Sequence, residues 1–201
     1  MTGTADRLLD ATTALLVEQG PGATTLRAIT DRAGANVAAV GYHFGSKEAL
    51  VTRAYAAILD EVTRLQLARL AELPEDASLE AVVRLWVTPA FAVHDGSARE
   101  AAMWGAVQRG MAEQAPALLA HRGTVEAVEE QLHRRLRALL PHLSEPELRF
   151  RHGATLAGLG ALRSGALQQL LGDSPDESVL LDLVVAWVVG GLRAPAAGAR
   201  D

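Results

Sequence analysis

The chain has 201 residues, 49% of them hydrophobic but only 4% aromatic, a mixture that favours helices built on Leu and Ala. It has no cysteine, which excludes disulfides and thiolate-held metals, and its formal net charge of −5 gives no electrostatic footprint for nucleic acid. The start, Met1-Thr2-Gly3-Thr4-Ala5-Asp6, lacks the basic and apolar runs of a secretory signal. The most apolar stretch, 179–192, is broken by Asp182 and falls short of the roughly 20 residues of a membrane span, so a cytoplasmic protein with no membrane partner is expected.

In chain order, Leu8, Ala11 and Leu15 recur at helical spacing, and Gly20-Pro21-Gly22 ends that first helix. Thr25 is placed to cap a second helix, Leu26 to Ala33, which Gly34 stops. Asn36 caps a third, Val37 to about Phe44, and two short helices around a Gly-containing turn form a helix-turn-helix pattern. Ser46 caps a fourth helix that runs without Pro or Gly to Leu73. Beyond it the pattern stays helical. Ser78 precedes a helix to about Thr88, Ser97-Ala98-Arg99-Glu100 opens one to about Met111, and Pro116 opens a long one carrying Val125, Val128, Leu132, Leu136 and Leu139. Two capping boxes, Ser144-Glu145-Pro146-Glu147 and Ser174-Pro175-Asp176-Glu177, start the last two helices, predicted over 145–171 and 175–192. The fold class is therefore all-α, about nine helices: a helix-turn-helix head over residues 1–47 and a helical body over 48–201.

The segment from Ala33 to Leu50 is the most informative. Lys47 is the only lysine in the chain, set in the first turn of a helix just after Tyr42 and His43, a position suited to a phosphate. Residues 1–53 hold Arg7, Arg27, Arg32, Lys47 and Arg53 against Asp6, Asp10, Glu18, Asp31 and Glu48, so the head is neutral and the acidic excess lies beyond it. The run Tyr-His-Phe-x-Ser-Lys-Glu-x-Leu at Tyr42 to Leu50, preceded by Thr-Leu-Arg-x-Ile-x-x-x-Ala-Gly at Thr25 to Gly34, closely resembles the head of TetR-family transcriptional regulators. That resemblance covers about the first quarter of the chain. It implies that Asn36, Val37, Gly41 and Tyr42 lie near bases and that Thr25, His43 and Lys47 lie near phosphates, with Arg27 beside Thr25 at the start of the second helix. The sequence departs from the family at Gly41, where a tyrosine is usual, which weakens base reading from that turn but spares the phosphate contacts. A phosphate-binding loop is excluded, since no strand precedes the glycines and no Ser or Thr follows Lys47.

In the body, Trp86, Phe91, Met103, Trp104, Met111 and Phe150 are most of the bulky residues, with Gln108 one turn from Trp104. They are either plain core or, as the resemblance to TetR-family regulators implies, the walls of a cavity for a small hydrophobic effector and the body's ligand-binding site, with Gln108, Arg109 or His152 as polar anchors. The small residues Gly158, Ala161 and Gly165, with Leu181, Val185, Trp187 and Val188 of a final helix that is apolar nearly all round, fit the helix pairs through which TetR-like proteins form homodimers. A central core helix of a monomer is the alternative. Arg134, Arg135 and Arg137 among Glu126, Glu129 and Glu130 read as a solvated face, with Glu130 and Arg134 a surface pair. The six histidines show no ligand spacing and no nucleophile motif is present, so no metal, cofactor or catalytic residue is expected. The sequence thus predicts a repressor that binds a near-palindromic operator in double-stranded DNA and is released by the effector. The alternative is a helical hydrophobe-binding carrier or enzyme with a degenerate head.

Overall fold

The structure, a computed structural model, describes residues 3–91, 97–112, 122–163 and 175–196. Among these the chain is helical throughout: α1 Thr4–Gln19, α2 Leu26–Ala33, α3 Val37–Phe44, α4 Lys47–Glu72, α5 Leu79–Val87, α6 Ser97–Ala112, α7 Arg122–Leu139, α8 Glu145–Arg163 and α9 Glu177–Arg193, with a single 3₁₀ turn at Thr88–Ala90. The chain forms two compact units, residues 1–63 with 102–125 and residues 64–101 with 126–201.

The first unit is built around a small core of Leu8, Ala11 and Leu15 from α1, Ile29 and Ala33 from α2, Val40 from α3 and Leu50 from α4. Leu26 and Phe44 close over it, so Phe44 holds the end of α3 down as a peg. The boundaries follow from local chemistry. Thr25 Oγ1 accepts the Ala28 N–H at 3.1 Å, Asn36 Oδ1 accepts the Ala39 N–H at 2.9 Å, and Ser46 Oγ accepts the Ala49 N–H at 3.0 Å. Each cap satisfies an otherwise orphaned donor and contributes about 1 kcal/mol. Gly34 (φ 57°) and Gly45 (φ 80°) end α2 and α3 in left-handed backbone that an L side chain adopts only with strain. Arg109, from α6, reaches the C-terminal turn of α1 and donates to the Val17 carbonyl at 3.0 Å, a cation placed where the helix dipole is negative.

In the second unit α5 and α9 pack together through Leu79, Val82, Val83, Trp86 and Val87 on one side and Leu181, Val184, Val185, Val188 and Leu192 on the other. Two arginines close helix ends here as well. Arg135 donates to the carbonyls of Leu70, Leu73 and Pro74 at 3.0, 3.0 and 2.8 Å. Arg151 donates to those of Gly191 and Ala194 at 2.7 and 2.8 Å while pairing with Glu147 at 2.6 Å. Arg135 is therefore a clamp on the end of α4 rather than part of a solvated face. Arg134 and Glu130 do form the exposed pair, 3.6 Å apart. Arg69 holds the nearly buried Glu100 through both guanidinium branches.

The start of the last helix differs from the expected capping box. α9 begins at Glu177 with Asp176 as its N-cap and no side-chain bond to the cap. Ser174, the predicted capping residue, lies outside the described residues, as do Pro116 and Gly165.

Candidate functional site

The head presents three capped helix N-termini, and the residues around them lie largely in the open. Thr25 and Asn36 are exposed, and each cap uses only the acceptor of its side chain. The Thr25 hydroxyl hydrogen and the Asn36 amide N–H₂ therefore stay available to donate outward. Arg27, one residue after Thr25, leaves its side chain 92% exposed and meets Asp31 only at 3.6 Å. Lys47 opens α4 directly after the Ser46 cap, where an ammonium and a helix N-terminus both favour an anion.

Between α1 and α3 runs an open groove of about 550 Å³, lined by Thr4, Arg7, Gly34, Ala35, Asn36, Ala38, Ala39, Tyr42 and His43. Tyr42 is 85% exposed, and its ring meets His43 edge to face with centroids 4.9 Å apart. Val37, Ala38 and Gly41 share the outward side of α3 with it, while Val40 points into the core. At 85% exposure Tyr42 contributes little to the packing of this chain.

The neutral charge count hides an uneven distribution. Glu18 grips Arg32 through two bonds of 2.6 and 2.7 Å, which holds the Glu18 carboxyl below its ordinary pKa and raises the Arg32 guanidinium. Asp6 accepts the Gly3 N–H at the start of α1. Arg7 donates from Nε to the Ala33 carbonyl at 3.1 Å, tying α1 to the end of α2 beside the groove. Sequence reasoning counted Arg7 only as a charge. Its partner lies 26 residues away, and no local pattern points to it.

The body residues divide. Trp86 and Phe91, in the second unit, are buried at 6% and 0% exposure, whereas Met103, Trp104 and Gln108 belong to the first, with Met103 buried and the other two half-buried. The Met111 side chain lies outside the described residues. Phe150 does not fit the expected pocket: it is 74% exposed, because its neighbours Leu148 and His152 take the inward side of α8. Arg109 does not serve as an anchor in a cavity either, since its guanidinium is bound to the end of α1.

His152 has a different role from the anchor first expected. Its Nδ1 lies 2.8 Å from His133 Nε2, both rings are nearly buried, and the Trp86 ring stands against His152 with centroids 4.7 Å apart. Burial pushes His152 down to about 4, helped by the neighbouring His133, and burial lowers His133 too, against the pull of Glu145 and Glu129. The shared hydrogen bond needs one ring to donate and the other to accept, which two neutral imidazoles provide. Among the described residues no third His, Asp or Glu joins them in a metal-binding group.

The predicted dimer residues also separate by face. Leu181, Val185 and Val188 are covered within the chain's own α5–α9 packing, so they are core and cannot form an outer surface. The side of α9 that remains open carries Val179, Leu183 and Trp187 at 48, 57 and 58% exposure. Trp187 lies on α8 at Gly158, where an added Cβ would come within 3.1 Å of its ring, and Ala161 is half-buried one turn further on. Small residues on α8 thus seat an indole that water still reaches.

Residues 8–54 match the family described as bacterial regulatory proteins, tetR family. Among solved structures, a transcriptional regulator from Rhodococcus sp. Rha1 superposes with a TM-score of 0.65 at 23% identity over 94% of this chain and 97% of that one. The fatty acid degradation regulator FadR from Bacillus halodurans gives 0.63 at 15% identity over 96% and 98%. The multidrug binding protein EbrR, complexed with imidazole, gives 0.55 at 20% identity over 98% and 99%. At these identities the likeness is one of fold. No curated protein sequence matches significantly. No helix among the described residues is long and apolar enough to cross a membrane.

Proposed function

We propose that this chain is a TetR-family transcriptional regulator, supported by the family match over residues 8–54 and the likeness of fold, and that it works as a homodimeric repressor whose two heads dock on a near-palindromic operator and whose body releases DNA on binding a small hydrophobic molecule. The observation that carries this is the outward side of α3, with exposed Tyr42 and Val37, set between the capped starts of α2 and α4. A helix seated in the major groove brings its own N-terminal residues to base edges, while the flanking N-termini meet phosphates. Thr25, Arg27, His43 and Lys47 are the phosphate contacts, and Asn36, Val37, Gly41 and Tyr42 face the bases.

The dimer is argued from α9. Val179, Leu183 and Trp187 form an apolar strip too exposed for a solitary chain, and a second copy related by a two-fold axis would cover it with the same strip. Such symmetry would set the recognition helices about 34 Å apart, one turn of DNA. The effector is argued from likeness of fold alone: the neighbour EbrR is a multidrug binding protein, and a small hydrophobic molecule suits a body whose large side chains, Trp86 and Phe91 among them, are apolar. The division proposed is functional, with residues 1–47 reading DNA and 48–201 serving pairing and ligand. The protein would act in the cytoplasm, where its DNA lies, and perform no catalysis.

A gel shift with the DNA upstream of the chain's own gene tests the reading. Retardation that survives excess unrelated duplex supports it, and equal competition by unrelated duplex contradicts sequence-specific repression.

A further inference from the structure

What α3 can read depends on the groups it offers to base edges, and its outward side is poor in hydrogen-bonding atoms. Val37, Ala38, Gly41 and Tyr42 occupy the i, i+1, i+4 and i+5 positions of one helical face, all exposed. Only the Tyr42 hydroxyl on that face can donate or accept. Asn36, the one amide at this end, has its Oδ1 accepting the Ala39 N–H at 2.9 Å, which holds the carboxamide in the cap and leaves its N–H₂ as the group turned outward. Arg7 lines the same groove with its guanidinium bonded to Ala33 and Thr4. No arginine, lysine or glutamine stands on α3, which removes the usual fork for guanine O6 and N7. Space is not the limit, because a Cβ at Gly41 would meet nothing within 4 Å. The face is small and apolar although larger side chains would fit.

We infer that α3 selects thymine by its C5-methyl group. Val37 and Ala38 make apolar contact with methyls on the major-groove edge, Gly41 lets the helix backbone come close to the base pairs, and Tyr42 adds a single hydroxyl contact. This rests on the head docking in the major groove. Within an operator half-site, T·A pairs under α3 are read through their methyls and guanines are left without direct contact.

The test uses the full chain and the shortest upstream duplex it retards. That duplex is resynthesised with deoxyuridine for thymidine at one position at a time, which removes the methyl and leaves every hydrogen-bonding group in place. A second series carries 7-deazaguanine for guanine, which removes the N7 acceptor. The expected result is a loss of about fourfold in affinity at several thymines of each half-site, the equivalent of one buried methyl. The 7-deazaguanine duplexes should bind within about twofold of the parent. In Val37→Ala the deoxyuridine effect should shrink at one of those positions and persist unchanged at the others. Uniform indifference to deoxyuridine, or a loss of about tenfold from any one guanine N7, overturns methyl reading while DNA binding stands. If no duplex is retarded, the DNA-binding reading fails first and methyl reading fails with it.

Discussion

Acidification should destabilise the body through the buried histidine pair, and the size of the effect can be worked out. His152 is held near pKa 4 in the folded chain, against an ordinary value of 6.5. Between those two pH values the unfolded chain binds a proton that the folded chain refuses, so stability falls as pH falls. The penalty is absent well above pH 6.5, grows by about 1.4 kcal/mol per pH unit below it, and levels off below about 4, where the folded chain also takes the proton. Two pH units below the ordinary histidine value, His152 alone removes about 2–3 kcal/mol, a sizeable part of the 5–15 kcal/mol typical of a folded domain. His133 acts in the same direction through its own burial. Once both rings are protonated, two N–H groups would face each other across 2.8 Å, which the present packing cannot accommodate. Calorimetric melting of wild type and His152→Gln across pH 7.5 to 4.5 isolates the effect, since glutamine can still donate or accept toward His133 but does not titrate. The melting temperature of the wild type should drop by about 5–10 °C more than that of the variant over this range. Parallel melting curves for the two proteins would refute the reasoning, as would an NMR titration of His152 near 6.5.

Four further outcomes follow from the same geometry. Lys47→Ala should weaken binding to all duplexes alike and reduce the log–log salt slope by about one, measured by fluorescence anisotropy at several salt concentrations. Trp187→Glu should yield a folded monomer in analytical ultracentrifugation, whereas Val185→Glu, which buries an unpaired carboxylate, should lower helicity and melting temperature sharply. Gly41→Ala should stabilise the head by about 0.8–1 kcal/mol, because Gly41 stands in an exposed helix interior with open space around it, and chemical denaturation would report the gain. Trp104→Ala should abolish effector-driven release from the operator with ligand-free binding intact. A strongly destabilised Trp104→Ala that still releases DNA would make this half-buried indole packing only.

The head was legible because its determinants are local. Thr25, Asn36 and Ser46 each cap a bond three residues onward, and Gly34 stops α2 where the sequence places it. The predicted spans of α2 and α3 match the observed ones to the residue. The body was harder for two physical reasons. A helix as apolar as α9 does not announce which side faces its own core, and Leu181, Val185 and Val188 lie inward while Leu183 lies outward. Contacts between distant residues also leave no periodic trace. Arg135 reaches across 61 to 65 residues to the end of α4, Arg109 across 92 to α1, and His133 and His152 pair across the α7–α8 turn although neither shows ligand spacing. Phe150, grouped by its bulk with the other large side chains of the body, lies outward because Leu148 and His152 take the inward positions of α8.

In the proposed reading a pair of these chains binds DNA with two α3 helices. Sequencing the duplexes that the full chain retains from a randomised pool tests it most directly. The account predicts enrichment of a two-fold-symmetric motif whose half-site centres lie about 10 base pairs apart, with thymines under the recognition helices. Retention without any enriched motif, or no retention at low salt, would contradict it.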